Sequence, residues 1–113
     1  MIDIATFNSM YENFDKEVVI EIIDIFLKEY PERISLLEAD IVNRNFDGLY
    51  KHAHSVKGVI SNFYDENARQ WALQMETKGK NLDASGLEDI FRNFKLACDS
   101  LIAELQQIRE QYS

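Results

Sequence analysis

The chain has 113 residues, 46% of them apolar and 28% charged, which is one domain with enough apolar material for a single core. Its net charge of −8 leaves no basic surplus to neutralise phosphates, so neither nucleic acid nor an anionic membrane is an expected partner. Cys98 is alone, so no internal disulfide is possible and a reducing, cytoplasmic location is the simpler expectation; no basic-then-apolar leader opens the chain, and no apolar run approaches the ~20 residues of a membrane span.

Residues 3–13 carry Ile4, Phe7, Met10 and Tyr11 in a short amphipathic pattern, with Asp3 as a cap, and predict a helix lying over one end of the domain. Asp15 can cap the next helix, with Glu17 and Glu21 near the positive end of its dipole. Val18, Val19, Ile22, Ile23, Phe26, Leu27 and Tyr30 form its apolar stripe, which resumes after Pro31 at Ile34, Leu37 and Ile41. Pro31 removes a backbone donor, so 16–44 reads as one helix kinked there, with two abutting helices as the alternative.

Asn45 is a good N-cap for the segment 46–63. There Phe46, Leu49, Ala53, Val56, Ile60 and Phe63 recur at spacings of 3 and 4, the stripe of a helix packed on a core. Asp65-Glu66-Asn67 reads as a turn and a new start, and Ala68, Trp71, Ala72 and Met75 carry a helix to about Lys78, where Gly79 is expected to stop it. Ser85-Gly86-Leu87-Glu88 has capping-box spacing. From Leu87 to Tyr112 apolar residues alternate by 4 and 3, giving one long last helix. The chain as a whole, 1–113, reads as a single all-α domain: an antiparallel up-down four-helix bundle with a short extra N-terminal helix. No internal repeat, linker or low-complexity segment interrupts it.

The chemistry concentrates on the segment Lys51-His52-Ala53-His54-Ser55-Val56-Lys57-Gly58. At about 100° per residue, His54 projects about 140° from the centre of the buried stripe and so faces solvent. Tyr50, Lys51, Lys57, Gly58 and Ser61 share its face. An exposed imidazole is partly neutral near neutral pH and has a lone pair able to attack phosphorus. A lysine one turn away can neutralise arriving phosphoryl oxygens. Gly58 removes side-chain bulk, which lets another protein's active site come down onto the ring, at a helix cost of about 1 kcal/mol relative to alanine. His52 and His54 diverge by about 200° and cannot grip one ion. No Cys/His cluster elsewhere offers a metal site. His52 therefore reads as a half-buried packing residue, Cys98 as an inert core thiol, and Glu76 as a solvated glutamate.

Ala53-His54-Ser55-Val56-Lys57-Gly58, followed by Ser61-Asn62-Phe63, resembles the signature of histidine-containing phosphotransfer (HPt) domains of multistep two-component phosphorelays. The flanks fit from about residue 14 to residue 80. One departure is Tyr64, where the family usually has a small residue, most often glycine, with a small residue next where Asp65 stands. The resemblance implies that His54 accepts a phosphoryl group from a receiver-domain phosphoaspartate and passes it to another receiver. Lys57 would neutralise charge, and Tyr50, Lys51, Gly58 and Ser61 would meet the partner. The partners implied are receivers of a hybrid sensor kinase or a response regulator, with Mg²⁺ on the receiver and no cofactor here. Met1 and the compact length favour a free-standing protein, and the four-helix count speaks for a monomer. With no glycine-rich nucleotide loop, the chain is not expected to phosphorylate itself. Two other readings are a phosphate-independent helical adaptor and the dimerisation hairpin of a sensor kinase. The hairpin fits less well, because it typically has an acidic residue directly after the histidine and a proline soon after that. Here Ser55 follows His54, and no proline lies beyond Pro31.

Overall fold

The computed structural model describes residues 1–113. Five helices and no strands make up the chain: α1 (Ile4–Tyr11), α2 (Lys16–Val42), α3 (Phe46–Ile60), α4 (Glu66–Lys80) and α5 (Leu87–Tyr112). A 3-10 turn, Ser61–Phe63, extends α3. Short connections make successive long helices antiparallel. α3 packs against α2 and α4, and α5 closes the ring against α2 and α4. Twenty-five buried apolar residues form one continuous core, with the rings of Phe26 and Phe63 5.3 Å apart inside it. No helix is long and apolar enough to cross a membrane.

The caps explain several boundaries and correct others. Asp3 accepts from the Thr6 amide at 3.1 Å and Asn45 from the Gly48 amide at 3.0 Å, as their positions predict. Asp15 stands at the start of α2 but makes no side-chain cap bond. The expected capping box does not form either. Gly86 takes the N-cap position of α5 in the left-handed region (φ 72°), and Ser85 donates its hydroxyl to Asp83 at 2.6 Å instead of reaching into the helix. Glu88 meets Arg44 at 3.2 Å.

α2 runs through Pro31 as one helix, so the two-helix alternative fails. Of the stripe expected on α1, only Phe7 and Tyr11 are buried, while Ile4 and Met10 are exposed. An eight-residue helix docked on one end of a bundle can bury little more than one i, i+4 pair. Val18 on α2 is likewise exposed. The N-terminal segment is fixed where α3 gives way to α4. The Asp3 amide donates to the Tyr64 carbonyl at 2.8 Å, and the Tyr11 hydroxyl donates to the Asn62 carbonyl at 2.8 Å.

Two features of the α3–α4 hairpin bear on the site. Tyr64 ends the 3-10 turn at φ 59°, ψ 38°. This left-handed conformation favours glycine. Here Tyr64 adopts it with its half-buried ring packed against the core. Gly79 does not stop α4, which continues to Lys80. The glycine is buried inside the helix, against the backbone of α3.

Candidate functional site

α3 carries the site because its apolar stripe fixes its rotation. Leu49, Ala53, Val56 and Ile60 are buried, which turns His54 outward. The His54 side chain is 64% exposed. Its Nδ1 lies 3.1 Å from Oε1 of Glu76, which projects from α4 across the hairpin. Lys57, one turn along α3, places its Nζ 2.8 Å from the same Oε1 and 3.1 Å from Oε2. His54, Lys57 and Glu76 thus form a triad spanning two helices. Glu76 is only 13% exposed, so the expectation of a solvated glutamate is wrong. The cause is the close packing of α4 on α3, which the single-helix pattern does not reveal. The sequence signal that could have found it is its place in the HPt resemblance, where the family often has an acidic or amide residue near the histidine.

Burial by itself would raise the pKa of the Glu76 carboxyl, but the hydrogen bonds from Lys57 and His54 outweigh it and hold the carboxyl below its ordinary value. A carboxylate only accepts, so a neutral His54 bonded to it carries its proton on Nδ1. The lone pair is then on Nε2, the nitrogen turned away from Glu76. The arrangement is an outward-facing nucleophile, an anion behind it, and an ammonium beside it.

The remaining candidates are placed around this triad. Tyr50, one turn before His54, lies with its ring stacked at 22° to the imidazole and 6.2 Å between centroids. Gly58 is exposed, and a Cβ built on it would meet nothing within 4 Å. Internal packing therefore gives no reason for the glycine. Ser61 is exposed but turns its hydroxyl back to the Lys57 carbonyl at 2.9 Å. Lys51 pairs with Asp47 at 2.9 Å, both largely exposed, and makes no bond to the triad.

His52 belongs to a different arrangement. Its Nδ1 lies 2.6 Å from Oδ2 of Asp40, a buried carboxylate on α2. It is half-buried as expected, yet it ties α3 to α2 through a hydrogen bond that apolar periodicity does not reveal. The two histidines bind separate carboxylates on opposite sides of α3. No group of three or more His, Cys, Asp or Glu is placed to hold a metal ion. Burial pushes the Cys98 thiol up to about 12, so it is not a nucleophile at neutral pH.

The model of the Hpt domain family matches residues 21–111. Among solved structures, the chain is similar to histidine-containing phosphotransfer protein B (HptB) from Pseudomonas aeruginosa PAO1. The TM-score is 0.89 with 20% identity, covering 99% of this chain and 96% of that one, a likeness that speaks for the fold. No curated protein matches the chain in sequence.

Proposed function

Because the chain belongs to the Hpt domain family and is a phosphorelay intermediate, we propose that His54 is its phosphoacceptor, with Lys57 and Glu76 as the groups that assist it. The observation that carries this reading is the triad: an exposed imidazole held through Nδ1 by Glu76, with Lys57 on the same carboxylate.

The Nε2 lone pair attacks the phosphorus of a receiver's phosphoaspartate. An Nε2–P bond forms, the P–O bond to aspartate breaks, and the bonding pair leaves with the receiver's carboxylate. The proton on Nδ1 stays in place, so the product is a phosphoimidazolium facing the Glu76 carboxylate. That anion stabilises positive charge developing on the ring, while Lys57 faces the phosphoryl oxygens. Passage to a second receiver is the reverse reaction. The Mg²⁺ that these transfers use belongs to the receiver, and this chain contributes no kinase activity of its own.

The receiver docks on the face around His54. The open space over Gly58 gives clearance, the exposed ring of Tyr50 gives an apolar contact, and Ser61 and Lys51 lie at the margins. The chain works as a monomer, since one copy supplies all four bundle helices. Partners are the receivers of a hybrid sensor kinase or a response regulator. The test is to mix phosphorylated receiver with wild type and with His54→Gln. Wild type takes the label and the variant does not; label on the variant would sink the assignment.

A further inference from the structure

We propose that Gly79 is a positioning residue for this chemistry: its missing side chain sets the α3–α4 spacing at which Glu76 reaches His54 and Lys57. The inference rests on the reading of His54 as the phosphoacceptor.

Gly79 lies three residues after Glu76, on the same face of α4. It is buried against α3. A Cβ built on it would stand 2.7 Å from the Tyr50 nitrogen and 2.9 Å from the Phe46 carbonyl oxygen. Those atoms stand at i and i−4 of α3, the donor and acceptor of a helical hydrogen bond. Both are main chain, so no rotamer change relieves the contact. The other glycines differ: the nearest atoms to a Cβ on Gly48 are in the side chains of Asp40 and Asn45, and Gly58 and Gly86 would meet nothing within 4 Å. Gly79 is the one glycine whose nearest neighbours are another helix's backbone, and Tyr50, which it touches, lies one turn from His54.

Ordinary contact begins at 3.4 Å, so any side chain at position 79 would push α4 outward by the difference from 2.7 Å, about 0.7 Å. The Glu76–His54 bond is 3.1 Å long. A displacement of that size along the bond carries it to about 3.8 Å, past the range of an N–H···O bond. Glu76 has little freedom to follow, being largely buried with Lys57 on the same oxygen at 2.8 Å. Glycine is unfavourable in a helix interior relative to alanine. Its presence in α4 is accounted for by this approach.

The experiment uses the full chain with phosphoramidate, a small phosphodonor that needs no receiver docking, and ¹⁵N spectra of the His54 ring. Wild type, Gly79→Ala, Glu76→Asp, Glu76→Ala and the double variant Gly79→Ala/Glu76→Ala are compared. Gly79→Ala is expected to slow acceptance about 10-fold and to shift the ring from the Nδ1–H toward the Nε2–H tautomer. Glu76→Asp, one methylene shorter at unchanged helix spacing, should do the same. The double variant should be no slower than Glu76→Ala alone. A wild-type rate and tautomer in Gly79→Ala would overturn the proposal, as would a double variant slowed additively. If Gly79→Ala fails to fold, Glu76→Asp decides: a retained Nδ1 bond and rate mean that reach is not limiting, and the proposal falls. Failure of the underlying reading looks different, since wild type would then carry label on a residue other than His54.

Discussion

Replacing Glu76 by glutamine isolates the charge behind the imidazole, because the amide oxygen can still accept from Nδ1. At the 3.1 Å separation of Glu76 and His54, a unit anion stabilises an imidazolium by about 1.3 kcal/mol at the dielectric of water and about 5 kcal/mol at an effective value near 20. His54 is mostly exposed, and Lys57 neutralises part of the same carboxylate, so the low end applies. About 1.4 kcal/mol corresponds to a 10-fold slower transfer for Glu76→Gln. Glu76→Ala removes the hydrogen bond as well, and a charge-assisted bond is worth about 1.5–3 kcal/mol with its charge included, so the total loss is roughly 10- to 100-fold. The assay is a quenched time course with one phosphorylated receiver, alongside a binding titration that should change little. A pH series adds an independent check. The folded-state value of Glu76 lies below its ordinary 4.5, so its contribution to stability is present above pH 4.5 and lost as pH falls through the lowered value. The stability gap between wild type and Glu76→Gln should therefore close on acidification. Wild-type transfer rates in both variants would show that the carboxylate does not assist the ring.

Lys57→Ala should slow acceptance by about 10-fold or more and shorten the lifetime of the phosphohistidine, with Lys57→Arg rescuing only in part; single-turnover rates and decay of isolated phosphoprotein measure both. Gly58→Glu places bulk and negative charge where a phosphate must approach, in a space that is now open. Transfer from a receiver should fall sharply while the melting temperature holds, and an unchanged rate would remove the clearance role. His52→Ala leaves the buried Asp40 carboxylate without its partner. It should cost about 1–3 kcal/mol in urea unfolding while phosphoryl acceptance persists.

The elements were legible in the sequence because amphipathic periodicity reports burial along one helix at a time. The phase of Leu49, Ala53, Val56 and Ile60 placed His54 outward and Lys57 beside it, and the structure agrees. What lay outside reach depends on how helices approach one another. Glu76 looked solvated because its own helix says nothing of α3, and its two partners lie 19 and 22 residues away in sequence. Gly79 looked like a stop because glycine is common just past helix ends. Only the backbone of Tyr50 against it reveals a close approach. Asp40 and His52 find each other across α2 and α3 in the same way. The failed capping box at Ser85 has a local cause. Asp83 accepts from Ser85 and from Lys78, so the hydroxyl is already engaged before α5 begins. Tyr64 shows the converse, since a left-handed turn can be adopted by a packed aromatic residue where glycine is the usual occupant.

The central claim is that phosphate resides on Nε2 of His54, and the most direct measurement locates it. The purified chain is phosphorylated from a labelled receiver, digested at alkaline pH and mapped by mass spectrometry, with ³¹P–¹⁵N correlation to identify the nitrogen. The account predicts a single acid-labile, base-stable phosphate on His54, attached through Nε2, and none on His54→Gln. Phosphate on His52, attachment through Nδ1, or label that persists in the His54→Gln variant would contradict it.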